Sequence, residues 1–392
     1  MKNSRILWLC LLLISLSAFP GFLMGQQLTK EGVRLEFGGY LKQLNGLYYV
    51  PESEQYFQDQ LWHNRINLDL FLGKYLSVEA GFRSRLFYGD IVKITPDYGS
   101  QVDMAGTDWV DLSLNWIDRD QWVLNTTVDR FFVQYSRGKW DVRLGRQRVN
   151  WGVTNFWNPN DIFNQYLFTD FDYEERPGRD AVRITYYRNV SSSIEIAFTA
   201  ADHIRDWNAA MLYKFNKWNY DFQLLAGVHE STTVAGGAWA GAIGQVGFKG
   251  EGSIFLPWED AENVDGVLSI EADYAFVNGW YVAAGGLYQS TGAVNGSFAL
   301  LGDFQPTARM LYPFRWTVFG MARYPVSPLA NAGLATLYSP VESHAVFLNP
   351  SFSYSIARDW DLDLVIQTVL TDKDNDFSAD LFAGFLRVKW SY

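Results

Sequence analysis

Charged and hydrogen-bonding side chains concentrate between Asp129 and Asp170. The block Gly145-Arg146-Gln147-Arg148 is followed by Asn150-Trp151-Gly152 and then by Trp157-Asn158-Pro159-Asn160-Asp161. Beyond it come Asp170, Asp172, Glu174 and Glu175. Arg65, Arg83, Arg85, Arg130, Arg143 and Arg183 share one phase of the neighbouring apolar–polar alternation. An arginine-rich wall facing an acidic loop sets up a transverse field that orients polar solutes, and rings of charge set ion preference. Two other readings stay open: these charges only neutralise one another and hold the loop in place, or the loop stands outside the barrel.

Catalysis finds little support. The four histidines, His63, His203, His229 and His344, are scattered. His229 is flanked by Glu230 and Ser231, but successive residues of a strand point to opposite faces, so adjacency makes no triad; a solvated histidine at a rim is the plain reading. No Gly-x-Ser-x-Gly, His-Glu-x-x-His or phosphate-loop pattern occurs. Asp372, Asp374 and Asp376 alternate in a polar link and read as a solvated loop, not as a calcium site. No enzyme activity, cofactor or metal is expected.

The elements that must position these residues are strands. Ile66, Leu68, Leu70 and Leu72 alternate with Arg65, Asn67, Asp69 and Phe71. Leu76, Val78, Ala80 and Phe82 alternate with Ser77, Glu79, Gly81 and Arg83. A period of two marks strands with one apolar and one more polar face. Between Asp129 and Gln147 the alternation puts Phe131, Val133, Tyr135, Trp140, Val142 and Leu144 on the apolar side. A bulge at Gly145 would reverse the phase and turn Arg146 and Arg148 inward; the sequence leaves both phases open.

Short turns at Gly73-Lys74, Arg137 to Lys139, Arg188 to Ser192, Asn216-Lys217, Ile243 to Gln245, Val277 to Gly279, Pro325 to Pro328 and Ala357 to Asp359 alternate with links that are mostly longer or more polar. Tyr75, Trp140, Trp218, Trp280 and Trp360 each follow such a turn. Rings at that level form an interfacial girdle, because an indole or phenol is apolar in its body and polar at its tip. About 18 strands are expected, with 16 as the alternative, and Asp108 to Val128 is set aside as an outer loop or a strand extension. The reading is an all-β, transmembrane antiparallel barrel with short periplasmic turns and long outer loops.

Composition agrees. Aromatic residues make up 17% of the chain, yet the mean hydropathy is −0.11, as expected when apolar residues are hidden in alternation. The net charge of −11 excludes nucleic acid as a natural partner. Lys2 and Arg5, the apolar run Ile6 to Phe19 and small residues up to Gly25 predict a signal peptide over 1–25, leaving the barrel as 26–392. The one cysteine, Cys10, lies inside that leader, which excludes disulfides from the mature chain. No segment ahead of the first strand is long enough for a plug domain.

The Gly145–Arg148, Asn150–Gly152 and Trp157–Asp161 blocks resemble porin-like bacterial outer-membrane barrels, including uncharacterised porin-like families and the alginate-export group. The chain's end resembles the closing strand of such barrels, with Leu386, Val388, Trp390 and Tyr392 alternating, although Tyr392 stands where phenylalanine is usual. The resemblance implies a channel in the Gram-negative cell outer membrane, surrounded by lipid and inserted by the barrel-assembly machinery. It does not carry over an alginate ligand. The expected function is a porin-like channel for small polar solutes, with a tilt toward anionic ones. Arg65, Arg83, Arg85, Arg130, Arg143, Arg146, Arg148 and Arg183 are its expected pore lining. Trp157, Asn158, Asp161, Asp170 and Asp172 belong to a loop, 153–179, expected to fold inward as a constriction. The alternatives are an export channel for an acidic polysaccharide and a surface-binding barrel without transport. A homo-oligomer stays open, since no interface is legible.

Overall fold

The structure is a computed structural model that describes residues 27–30, 32–104, 108–165, 178–201, 203–259, 263–294, 304–341, 344–373 and 376–392. The expected leader and its cleavage point lie outside these residues. Eighteen antiparallel strands close into one barrel. They are β1 (Val33–Val50), β2 (Gln55–Leu72), β3 (Leu76–Gly89), β4 (Trp122–Arg137), β5 (Trp140–Gln147), β6 (Arg179–Asn189), β7 (Ser192–Thr199), β8 (Asn208–Lys217) and β9 (Tyr220–His229). They continue as β10 (Thr232–Ile243), β11 (Val246–Pro257), β12 (Asp265–Ala275), β13 (Tyr281–Gln289), β14 (Trp316–Ser327), β15 (Ala330–Ser339), β16 (Ala345–Ala357), β17 (Trp360–Lys373) and β18 (Asp376–Ser391). Closure is made by β18 against β1, from Tyr40 opposite Ser391 to Tyr49 opposite Phe382. Every backbone group in a spanning strand needs a partner in lipid, and a closed barrel has no edge to leave bare.

Two short strands stand outside the eighteen. Gln27–Lys30 pairs with the start of β1. Ser113–Arg119 lies in the β3–β4 link and pairs with the outer part of β4. Of the stretch Asp108 to Val128 set aside from the wall, Ser113–Arg119 is a strand extension, but Trp122–Val128 belongs to the wall, as the outer part of β4 paired with β3. The same link holds two short helices, Asp90–Ile94 and Tyr98–Met104.

The alternation becomes two faces. Phe131, Val133 and Leu144 are exposed on the outside, whereas Phe132 is buried within. Aromatic pairs mark both ends of the outer face: Trp140–Tyr186, Trp280–Tyr324 and Trp360–Trp390 at the short-turn end, and Tyr49–Tyr56, Tyr88–Trp122 and Tyr288–Trp316 at the other. Trp218 differs from its expected place. It follows Lys217 as the first of two turn residues with positive φ, Trp218 and Asn219, so the turn falls two residues later than the pattern indicated. Its ring lies under the Lys217 ammonium, at 4.2 Å.

The phase question near Gly145 has a clear outcome. Strand pairing stays in register through Gly145 on both sides, opposite Phe132 and Ala181. The irregularity sits one strand earlier, where Phe82 pairs with Val128 but Gly81 pairs with Arg130. Asp129 is the extra residue, and Asp129 and Arg130 are both buried. Gly145 has φ of 120°, and a Cβ there would meet the Phe131 carbonyl oxygen at 2.3 Å, so the position requires glycine.

Candidate functional site: the lumen and its inward segments

After Gln147 the chain leaves the wall. Val149, Trp151, Phe156, Trp157, Ile162 and Phe163 are buried, and they pack with inward side chains of the wall such as Leu212, Phe255 and Leu337. A second outer link, between β13 and β14, contributes Leu311, Tyr312 and Phe314 to the same core. The two segments meet where Trp157 lies 6.0 Å from Tyr312 and 5.6 Å from Phe319. Phe156 stacks on Phe319 at 3.6 Å between centroids. Burial of this kind holds the Tyr312 hydroxyl above the usual phenol range.

Polar contacts fasten the first segment to the far wall. Glu251 of β11 is completely buried. It accepts hydrogen bonds from the backbone N–H groups of Val153 (3.0 Å), Thr154 (2.9 Å) and Asn160 (3.2 Å). The Thr154 hydroxyl (2.6 Å) and the Asn158 amide (2.9 Å) also donate to it. Glu271 of β12 accepts from the Asn155 backbone N–H at 2.8 Å and from the Asn155 side chain. Nearer the departure point, Trp151 Nε1 donates to Glu195 of β7 at 2.5 Å. Asn160 Nδ2 donates to the Gly237 carbonyl at 3.0 Å, and Ser253 to Asn160 Oδ1 at 2.8 Å. A Cβ at Gly236 would come within 2.5 Å of Asn160 Oδ1, so the sheet needs glycine where the loop touches it. Each buried donor left without an acceptor costs about 1–3 kcal/mol. A buried carboxylate that gathers several donors therefore fixes a loop better than apolar packing alone.

Asp161 is also fully buried and accepts from the Trp151 backbone N–H at 3.4 Å. It acts inside the loop. Asp170 and Asp172, with Glu174 and Glu175, lie outside the described residues. The anchoring carboxylates Glu195, Glu251 and Glu271 belong to the wall. Neither Glu251 nor Glu271 is among the candidate residues of the sequence. The available signal was an inward-phased Glu251 between two glycines, Gly250 and Gly252.

The cations gather on the other side. On the inner face Lys389, Lys42, His63, Arg85 and Asn125 lie directly opposite one another across β18, β1, β2, β3 and β4. Two residues along is the row Tyr40, Arg65, Arg83 and Thr127. The Lys42 and Lys389 ammonium groups lie 5.3 and 5.0 Å from the Tyr40 ring centre. Arg143 and Arg183 are direct cross-strand partners. Rows of opposed residues run perpendicular to the strands, and the strands tilt by roughly 35–45°. Such a row therefore climbs along the lumen instead of ringing it at one level.

Several of these arginines are tied. Arg65 pairs with Asp129 at 2.6 Å, both buried. Arg146 forks onto Asp180 at 2.9 and 2.8 Å and donates to the Val128 and Val110 carbonyls. That joins the segment before Ser113 to the wall. Arg143 lies 3.5 Å from Asp141, and Arg183 lies 3.6 Å from Glu195. Arg130 is buried and donates to the Asp129 carbonyl at 2.8 Å. Arg148 sits in the inward segment, where its carbonyl oxygen accepts from Arg183 at 3.4 Å. A further row, Glu36, Asp69 and Glu79, lies on β1, β2 and β3 nearer their periplasmic ends. His229 is not the solvated rim histidine expected: it is buried, with its ring 5.9 Å from Phe255.

A closed barrel of this size, with an apolar outer face between two aromatic belts and a polar, partly filled interior, defines a transmembrane β-barrel of the outer-membrane kind. Solved structures share the architecture. OccAB1 of Acinetobacter baumannii superimposes with a TM-score of 0.57 at 8% identity, over 94% of this chain and 98% of that one. OccK9 (OpdG) of Pseudomonas aeruginosa gives 0.59 at 10% identity over 91% and 98%. OccK11 (OpdR) of the same organism gives 0.53 at 10% over 95% and 98%. At such identities the likeness is one of fold. No family model and no curated protein sequence matches the chain.

Proposed function

We propose that the chain is an outer-membrane channel for small polar solutes, with a preference for anionic ones, and not an enzyme. The single observation that carries this is the inward row Lys389–Lys42–His63–Arg85, in which two lysines stand directly opposite each other. Like charges placed directly opposite each other weaken a sheet, so a purely structural wall has no use for them. Lys42 and His63 are buried, so the half-buried Lys389 and Arg85 are the cations of this row that an anion in the lumen would meet. The Occ and Opd barrels of Acinetobacter and Pseudomonas support the reading by their fold. The segment with Trp157, Asn158 and Asp161 is the constriction in this proposal, and Arg143 with Arg183 lines the passage beside it. Lipid and the barrel-assembly machinery are the partners that such a barrel requires.

The apolar core across the lumen favours a second reading, a closed barrel that binds at its surface. Planar-bilayer conductance separates the two, with reversal potentials under a salt gradient for wild type and Arg143→Glu/Arg183→Glu. Steady conductance steps with anion preference, reduced in the variant, are the expected result. Silent bilayers from correctly folded barrels would sink the channel reading and leave the surface-binding one.

A further inference from the structure

The outer face is apolar between its aromatic belts around most of the barrel. Leu268 and Ile270 on β12 and Leu364 and Ile366 on β17 are typical, each exposed by about two-fifths. On β1 to β4 the same level is different. Gln43 and Asn45 share the outward phase of β1 with Leu47, which is 55% exposed. Gln60 and Asn64 share that of β2 with Trp62, which is 46% exposed. Ser84 and Thr126 continue the patch, since Asn64 pairs with Ser84 and Ser84 with Thr126. Asn64 lies midway along β2, between Tyr56 and Leu72.

These six residues form one polar patch at bilayer depth. Gln43 and Asn45 answer each other reciprocally, at 2.8 and 2.9 Å. Ser84 and Thr126 oxygens lie 2.9 Å apart. A carboxamide carries two donors and two acceptor sites, so one reciprocal bond leaves half of each group facing hydrocarbon. Lipid tails offer no partner, and unmet polar groups there cost several kcal/mol. Polar side chains within membranes therefore face protein or water.

We propose that the β1–β4 outer face is an interface with a second copy of this chain, set patch to patch. The occupant is argued from chemistry and symmetry. A carboxamide is both donor and acceptor, so the patch is complementary to itself, which is what a two-fold contact demands. Trp62 and Leu47 supply apolar anchors beside it, and buried aromatic anchors dominate interface energetics. The inference needs only the membrane-spanning barrel, and it stands whether or not the lumen conducts.

The test places the photo-reactive p-benzoylphenylalanine at single outward positions of the full chain in intact outer membranes. Illumination of Gln60→p-benzoylphenylalanine is expected to yield a covalent band at twice the chain's mass, and Leu364→p-benzoylphenylalanine none. Equal cross-linking at both positions, no two-chain band at position 60, or a band of any other mass overturns the proposal. Native mass measurement of Asn45→Leu/Gln60→Leu/Asn64→Leu is the second arm, with folding checked by mobility on an unheated gel. A folded variant is expected to lose the two-chain species; one that keeps it overturns the patch. Should the variant not fold, the photo-cross-linking result decides.

Discussion

The two sides of the lumen solve opposite problems. The wall from β7 to β17 is packed: its inward residues meet Trp157, Phe156 and Tyr312 in a continuous apolar core, and Glu251 and Glu271 pin the incoming loop. The wall from β18 through β1 to β4 carries Lys389, Lys42, His63 and Arg85 side by side. Substitutions on the packed side should move stability first and conductance as a consequence. Substitution of the half-buried Arg85 or Lys389 should move selectivity more than stability. A loop that fills one side of a barrel leaves solutes to the other, so the charges of that other side govern passage.

The largest expected effect is at the anchor. Glu251→Ala leaves the donors of Val153, Thr154, Asn158 and Asn160 without their acceptor. A loss of about 3–5 kcal/mol is expected in urea titrations of the barrel in lipid vesicles. The released segment should also raise single-channel conductance. Unchanged stability and conductance would show that the carboxylate is not the fastening. Next is Phe156→Ala, which empties the stack on Phe319 and should cost about 3–5 kcal/mol at most, less wherever the two segments can close the gap.

Smaller is Trp151→Phe. It keeps the ring packing against Phe163 but removes the N–H donated to Glu195. About 1–3 kcal/mol is expected by the same titration. The change should pass to Arg183, which also faces Glu195, and double-mutant coupling between positions 151 and 183 checks it. On the cationic side, Arg85→Gln should shift the reversal potential toward cation preference while changing stability by no more than about 1 kcal/mol. A large stability loss there, without a selectivity shift, would turn the cationic row into a structural device and erase the contrast.

Much of the barrel was legible because lipid imposes a local rule. Each spanning strand must show apolar side chains at every second residue, and each interface favours Trp or Tyr. Ile66 to Leu72, Trp140, Trp280 and Trp360 could therefore be read one strand at a time. The inward phase of Arg65, Arg83, Arg85, Arg143 and Arg183 followed from the same alternation. Trp218 was displaced by two residues because the turn chose Trp218 and Asn219 for its positive φ, and nothing in that dipeptide announces a turn as Asn-Gly would.

The amino-acid sequence by itself determined the strand period, the aromatic belts, the approximate strand number and, away from breaks in the alternation, which face of a strand meets lipid. All follow from interactions within a strand or with the solvent beside it. The tertiary structure decided where the phase reverses, at Asp129–Arg130 and not at Gly145. It decided that Lys389 from one end of the chain lies beside Lys42 from the other. It also decided that Glu251 receives a loop 98 residues away. Those outcomes depend on register and closure, which no single strand encodes, and they are what concentrate charge on one side of the lumen and packing on the other.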